Sequence, residues 1–179
     1  MSLVGRLEKS GGDLHETNIG LDWDIEGDDD VHSAENSMSV SVLDLIGGFA
    51  ALAKQKGYFS TLSVPESYLD PYTRKFDRSL THTYPEWDAL GLDFRLHGRN
   101  CMAYVMASYG EAFDLVSFQL YESYSHADFA INVKGLNAGT YLSSYMQRLT
   151  SGWIVDFYPD RALAVVCNGC QTFLYISLY

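Results

Sequence analysis

The C-terminal half of the chain is a series of short apolar and aromatic runs separated by turn residues. Pro159-Asp160 and Asn168-Gly169 are typical turn pairs, and strands joined by such short turns must be antiparallel. The sequence therefore predicts an α+β fold in which helices pack on one face of an antiparallel sheet of about six or seven strands. The predicted strands span 92–96, 101–109, 112–121, 127–133, 153–158, 162–167 and 172–179.

Two longer helices are predicted from apolar residues at helical spacing. The first spans about 41–56, with Ser41 and Asp44 as a capping box and Gly57 after its last turn. Gly47 and Gly48 fall inside it, which suggests close packing of another element or a kink. The second spans about 138–149 after Asn137 as N-cap, and prolines predict two short helices at 71–79 and 85–90.

Acidic residues are concentrated near the N-terminus. The chain has 12 basic and 23 acidic residues, a net charge of −11, and nine of the acids lie between Asp13 and Asn36, where there is no Lys or Arg. Residues 1–36 are predicted to be an acidic arm or loop and residues 37–179 one α+β domain, although Leu21, Trp23 and Ile25 alternate as in a short strand.

This charge distribution favours a binding module with a basic protein partner, because opposite charge steers association. An inhibitor of the antitoxin or immunity-protein kind would fit this description. The candidate partner-binding residues are Asp22, Trp23, Asp24, Glu26, Asp28, Asp29 and Asp30.

The composition argues against several other classes. A net charge of −11 repels nucleic acid and anionic membranes, and no stretch predicts a secretion signal or a membrane span. Three cysteines, an odd number, fit a reducing compartment, so we expect a cytoplasmic protein. Gly135, Gly139 and Gly152 do not form a phosphate-binding loop, and no cofactor is expected.

Two weak metal motifs are present. Asp22, Asp24, Glu26 and Asp28 supply oxygens at alternate positions before and after Gly27, as in a calcium loop, but Ser33 occupies the place of the final bidentate Glu. For zinc, Cys167 and Cys170 form a CxxC around a predicted Asn-Gly turn, and His97 with Cys101 would complete four ligands. Neither metal is favoured over a solvated arm and a simple turn.

Two alternatives to the binding module remain open. A small hydrolase-like enzyme would use His82 or His126 with Glu86, Asp88 or Asp128 in a cleft beside the sheet, although a single loop histidine is usually only a surface residue. A structural homo-oligomer would pair subunits through the C-terminal strand, which runs to Tyr179. A protein without enzymatic activity is favoured over an enzyme.

Overall fold

The computed structural model describes residues 20–25, 37–78, 100–120, 126–158, 161–165 and 176–177. The four helices of this part are α1 (Val40–Gln55), α2 (Ala103–Tyr109), α3 (His126–Asp128) and α4 (Ala138–Ser151). A π-helical turn, Phe129–Val133, continues α3, and 3₁₀ turns lie at Glu66–Leu69 and Gly110–Ala112. The strands are β1 (Gly20–Asp24), β2 (Phe59–Pro65), β3 (Leu115–Gln119), β4 (Trp153–Tyr158), β5 (Arg161–Val165) and β6 (Ile176–Ser177).

The main sheet is parallel, so the prediction of an antiparallel sheet of six or seven strands is wrong. Strands β1, β2 and β3 lie side by side in chain order, and the two-residue β6 pairs with β3, all in parallel. Helix α1 connects β1 to β2, and α2 lies between β2 and β3. Only β4 and β5 form an antiparallel pair in the described part of the chain. The predicted α+β class is confirmed, but the predicted antiparallel direction of the strands is wrong.

The error arose where helices had been predicted as strands. Residues 103–109 form α2, and residues 126–133 form α3 with its π-helical turn. Both segments are rich in apolar residues, and a short apolar run does not separate a buried strand from a buried helix. Once these two segments are helices, the strands on either side are joined by helical crossovers rather than tight turns, and crossovers produce parallel pairing.

The parallel sheet buries one face. Trp23, Leu62 and Val116 are neighbours in register on adjacent strands, and all three are buried. The alternate positions carry polar side chains, including Asp22, Thr61 and Ser63. Helix α1 contacts β1, β2 and α2. The strand order β1, β2, β3 is the one expected when two successive crossovers run in the same direction across a sheet.

Helix α1 begins one residue earlier than predicted, and its N-cap differs. Ser39 is the N-cap, and its hydroxyl accepts a hydrogen bond from the Val42 N–H at 3.2 Å. The predicted box of Ser41 and Asp44 is wrong, because Asp44 instead accepts hydrogen bonds from the hydroxyls of Tyr104 and Tyr109 in α2. These bonds tie α2 to α1. At the other end Gly57 has φ +83°, a conformation that favours glycine.

Residues 71–78 do not form the predicted helix; they follow an irregular path. The buried side chain of Asn100 explains this, because its amide nitrogen lies 3.0–3.2 Å from the carbonyl oxygens of Asp70, Thr73 and Lys75. In a helix, carbonyls at these positions would accept backbone N–H groups four residues on. The predicted helix at 85–90 and the predicted strand at 92–96 lie outside the described residues.

Helix α4 confirms the predicted second helix. Asn137 is its N-cap and accepts a hydrogen bond from the Thr140 N–H at 3.1 Å, while Tyr141, Tyr145 and Leu149 form its buried face. The ring of Tyr145 packs edge-on against Phe118 at the carboxyl end of β3. Helix α4 is thereby fixed beside that end of the sheet. No helix within the described ranges is long and apolar enough to cross a membrane.

Candidate functional site

A buried carboxylate follows directly after β2. Glu66 is 1% exposed, and its Oε2 accepts a hydrogen bond from the Ala127 N–H at 2.8 Å. Its Oε1 accepts one from the hydroxyl of Tyr141. A buried carboxylate is costly unless it is hydrogen-bonded, and these donors offset that cost. Glu66 therefore joins the end of β2 to both α3 and α4.

Four side chains surround the ring of Tyr72 at this same end of the sheet. The imidazole of His126 lies edge-on at 5.2 Å, and the rings of Tyr141 and Tyr145 lie nearly parallel to it at 6.2 and 6.3 Å between centroids. The guanidinium carbon of Arg148 lies 4.7 Å from the Tyr72 ring centroid. We call this group the carboxyl-edge cluster; it comprises Glu66, Tyr72, His126, Tyr141, Tyr145 and Arg148.

The tyrosines of the cluster are hydrogen-bond donors at neutral pH. Burial raises the pKa of Tyr141 and Tyr145 well above the ordinary value, and the nearby charge of Glu66 raises both further. Burial also raises the pKa of Tyr72, although Arg148 opposes this shift. The Tyr145 hydroxyl donates a hydrogen bond to the carbonyl oxygen of Leu69 at 3.0 Å, so its role is structural.

A second feature is an exposed apolar stripe on α1. Val42, Leu45, Phe49 and Leu52 are three or four residues apart and are 40%, 65%, 42% and 50% exposed. They lie beside the face that α1 buries, which includes Leu43, Ile46, Ala50 and Ala53. An apolar arc this wide exceeds what the core of the domain uses. We call these four residues the α1 stripe.

The α1 stripe borders the acidic segment through β1. The ring of Phe49 packs edge-on against Trp23 with 5.6 Å between centroids. On either side of Trp23, Asp22 accepts hydrogen bonds from Thr61 and Ser63, and the exposed Asp24 accepts one from Gln119 at 3.0 Å. The strand at the centre of the acidic segment is thus fixed next to the stripe.

Neither models of protein families, nor curated proteins, nor solved structures match this chain. Its function must therefore be inferred from its own geometry.

The predicted catalytic residues are only partly within the described structure. His126 and Asp128 both lie on α3, where Asp128 accepts a hydrogen bond from the side chain of Asn132. The ring of His126 packs against the rings of Tyr72 and Tyr141. The hydroxyl of Tyr141 is hydrogen-bonded to Glu66. His82, Glu86 and Asp88 lie outside the described residues, so their catalytic role stays a prediction.

The metal and partner-binding candidates are similarly divided. Cys101 is buried, whereas His97, Cys167 and Cys170 lie outside the described ranges. Asp22 and Asp24 lie on β1, and the other candidates of the calcium loop and partner surface lie outside: Glu26, Asp28, Asp29 and Asp30. Among the described residues no group of three His, Cys, Asp or Glu side chains is placed to hold a metal. Calcium, zinc and partner binding at these residues stay predictions.

Sequence patterns alone did not reveal three features of the structure. Glu66 and Arg148 have no local motif, because their contacts come from residues distant in sequence. The α1 stripe did leave a signal. Apolar residues in the predicted first helix occupy more than one face, although we used their spacing only to predict the helix.

Proposed function

We propose that this chain is a protein-binding module whose α1 stripe receives an amphipathic helix from a basic partner protein in the cytoplasm. The observation that carries the proposal is the exposure of four large apolar side chains at helical spacing. From Val42 to Leu52 the stripe extends about 15 Å along the helix axis, which matches about three turns of a partner helix. Helices commonly bind through apolar residues at this spacing.

Charge favours a basic partner. The segment between Asp13 and Asn36 carries nine of the 23 acidic residues and no basic ones. Contact between Trp23 and Phe49 fixes the strand inside this segment beside the stripe. A partner helix with an apolar face flanked by Lys or Arg would bury that apolar face against α1. Its basic residues would then lie near the acidic residues, and the opposite charges would also accelerate association.

The test uses a fluorescein-labelled helical peptide of Leu and Lys, with leucines three and four residues apart, titrated with the full chain. Its control is a peptide of the same composition whose leucines do not align on one face. We expect the aligned peptide to bind more tightly by about tenfold or more, because only it presents a continuous apolar face. Equal affinity for both peptides would contradict the proposal.

Substitutions locate the binding surface. The double variant Leu45→Ser/Leu52→Ser should weaken aligned-peptide binding by about tenfold or more, because it removes the two most exposed side chains of the stripe. Leu136→Ser is the matched control, since Leu136 is 44% exposed but lies outside α1. Unchanged binding by the double variant would overturn the proposal. So would light scattering that shows a homodimer abolished by that variant, because a second copy would then occupy the stripe.

The acidic segment is tested separately. Changing Asp28, Asp29 and Asp30 to Lys should slow association with the aligned peptide at low salt, and the difference should shrink as salt rises. The midpoint of thermal unfolding should be unchanged. An association rate that the substitutions leave unaltered would remove the acids from the binding mechanism and leave only the apolar stripe.

A further inference from the structure

We propose that Arg148, Tyr72 and His126 form a binding site for a small oxyanion, either a carboxylate or a phosphate group. This site is separate from the α1 stripe, and its residues lie at the carboxyl end of the parallel strands. Loops and helices following that end commonly carry ligand-binding groups in α/β sheets.

Arg148 is an exposed cation held in place without an ion pair. Its guanidinium carbon lies over the Tyr72 ring, 4.7 Å from the ring centroid. Within the described residues no carboxylate lies within 4 Å of it, whereas Lys54, Arg74 and Lys75 each pair with an aspartate. A planar guanidinium fixed on an aromatic ring presents its remaining N–H groups in a set direction, which suits a carboxylate or phosphate.

The carboxylates beneath the site already have donors of their own. Glu66 accepts hydrogen bonds from the Ala127 N–H and the Tyr141 hydroxyl, and Asp70 accepts one from the Tyr72 N–H at 2.8 Å. Both are buried, while Arg148 is exposed. The guanidinium of Arg148 is therefore open to a ligand from solvent, whereas the two carboxylates are not.

Two further groups complete the site. The half-buried ring of His126 lies edge-on to Tyr72 at 5.2 Å, which places an imidazole beside the Arg148–Tyr72 pair. Tyr72 is positioned by hydrogen bonds of its loop. The Asn100 amide donates to the carbonyl oxygens of Asp70 and Thr73, on either side of Tyr72, and the Tyr72 N–H donates to the Asp70 carboxylate. Preorganised donors lose little conformational entropy when a ligand binds.

The test is an NMR titration of the ¹⁵N-labelled full chain with sodium phosphate and, separately, with sodium acetate. Ionic strength is held constant with sodium chloride. We expect saturable shifts of the amide signals of Tyr72, His126 and Arg148 with at least one of the two anions. Saturation by phosphate alone or acetate alone identifies the class of ligand. No saturable shift with either anion would overturn the proposal.

Three variants separate this site from general charge effects. Arg148→Gln should weaken binding by about tenfold or more, and Tyr72→Phe, which removes only a hydroxyl, by about threefold to tenfold. Arg74→Gln is the control, because Arg74 is also exposed but is paired with Asp156; it should leave the affinity unchanged. Each variant is first checked for an unaltered circular dichroism spectrum. Equal weakening by Arg148→Gln and Arg74→Gln would show non-specific attraction and overturn the assignment.

Discussion

At the scale of single residues, one buried amide holds the loop that carries Tyr72. Asn100 is fully buried and has φ +48°, a left-handed conformation that Asn tolerates better than most residues. Its side-chain oxygen accepts the Asp70 N–H at 2.8 Å, and its amide nitrogen faces three carbonyls of the loop. Without these bonds several buried polar groups of the loop would lose their partners.

We expect Asn100→Ala to lower the free energy of unfolding by about 2–4 kcal/mol, because the lost hydrogen bonds leave polar groups unsatisfied in a buried site. The measurement is urea denaturation followed by circular dichroism. Asn132→Ala is the control, since Asn132 is exposed and, among the described residues, its side chain bonds only to Asp128, four residues away. It should change stability by less than about 0.5 kcal/mol. A similar small effect at both positions would show that Asn100 does not hold the loop.

Sequence alone could not have assigned these roles. Asn100 bonds to residues 25 to 30 positions earlier, and the two donors to Glu66 come from 61 and 75 positions later. Such partners become neighbours only when the strands and helices have been arranged in space. His126 was found as a candidate because histidine is recognisable by type, but the carboxylate next to it in the cluster was not among those predicted.

At the scale of elements, the adjacent glycines of α1 have opposite surroundings. A Cβ on Gly47 would lie 2.1 Å from a ring carbon of Tyr109, so only glycine lets α2 approach this closely. A Cβ on Gly48 would meet nothing within 4 Å. The predicted close packing at the glycine pair is therefore confirmed at Gly47, and Gly48 has no packing reason within the described residues.

This contrast gives a matched pair of substitutions. Gly48→Ala should raise the free energy of unfolding by about 0.5–1 kcal/mol, because alanine favours the helix and nothing blocks its methyl group. Gly47→Ala should lower it by about 1–3 kcal/mol, because the Tyr109 ring must shift. Thermal and urea denaturation measure both. If the two variants change stability in the same direction, the packing of α2 against α1 is not as described.

The same element scale shows where sequence patterns succeed. Helices α1 and α4 were predicted because apolar residues recur at helical spacing and Asn137 and Gly57 mark helix ends. The prediction of a strand at residues 103–109 was wrong because the segment is apolar almost throughout, so no helical face can be recognised in the sequence. At 127–133 an apparent alternation of apolar residues was misleading, since Ala127, Phe129 and Ala130 are buried whereas Val133 is exposed.

At the scale of the whole molecule, the parallel sheet separates two surfaces of different character. Its helical crossover places α1 beside β1, which brings the acidic segment next to the apolar stripe. The carboxyl ends of β2 and β3 lead instead to the cluster around Tyr72. The sequence predicted the charge asymmetry directly from composition. It could not predict this separation, because strand direction depends on connections that were misassigned.

The most direct measurement of the central claim is hydrogen–deuterium exchange of the full chain with and without the aligned Leu and Lys peptide. We expect slower exchange in segments covering Val40–Gln55 and residues 20–25, because the partner helix would cover the α1 stripe and its border with β1. Exchange in α4, Ala138–Ser151, should not change. If exchange in α1 is not slowed at saturating peptide, or is slowed only elsewhere in the chain, the peptide does not bind the α1 stripe and the proposed function is wrong.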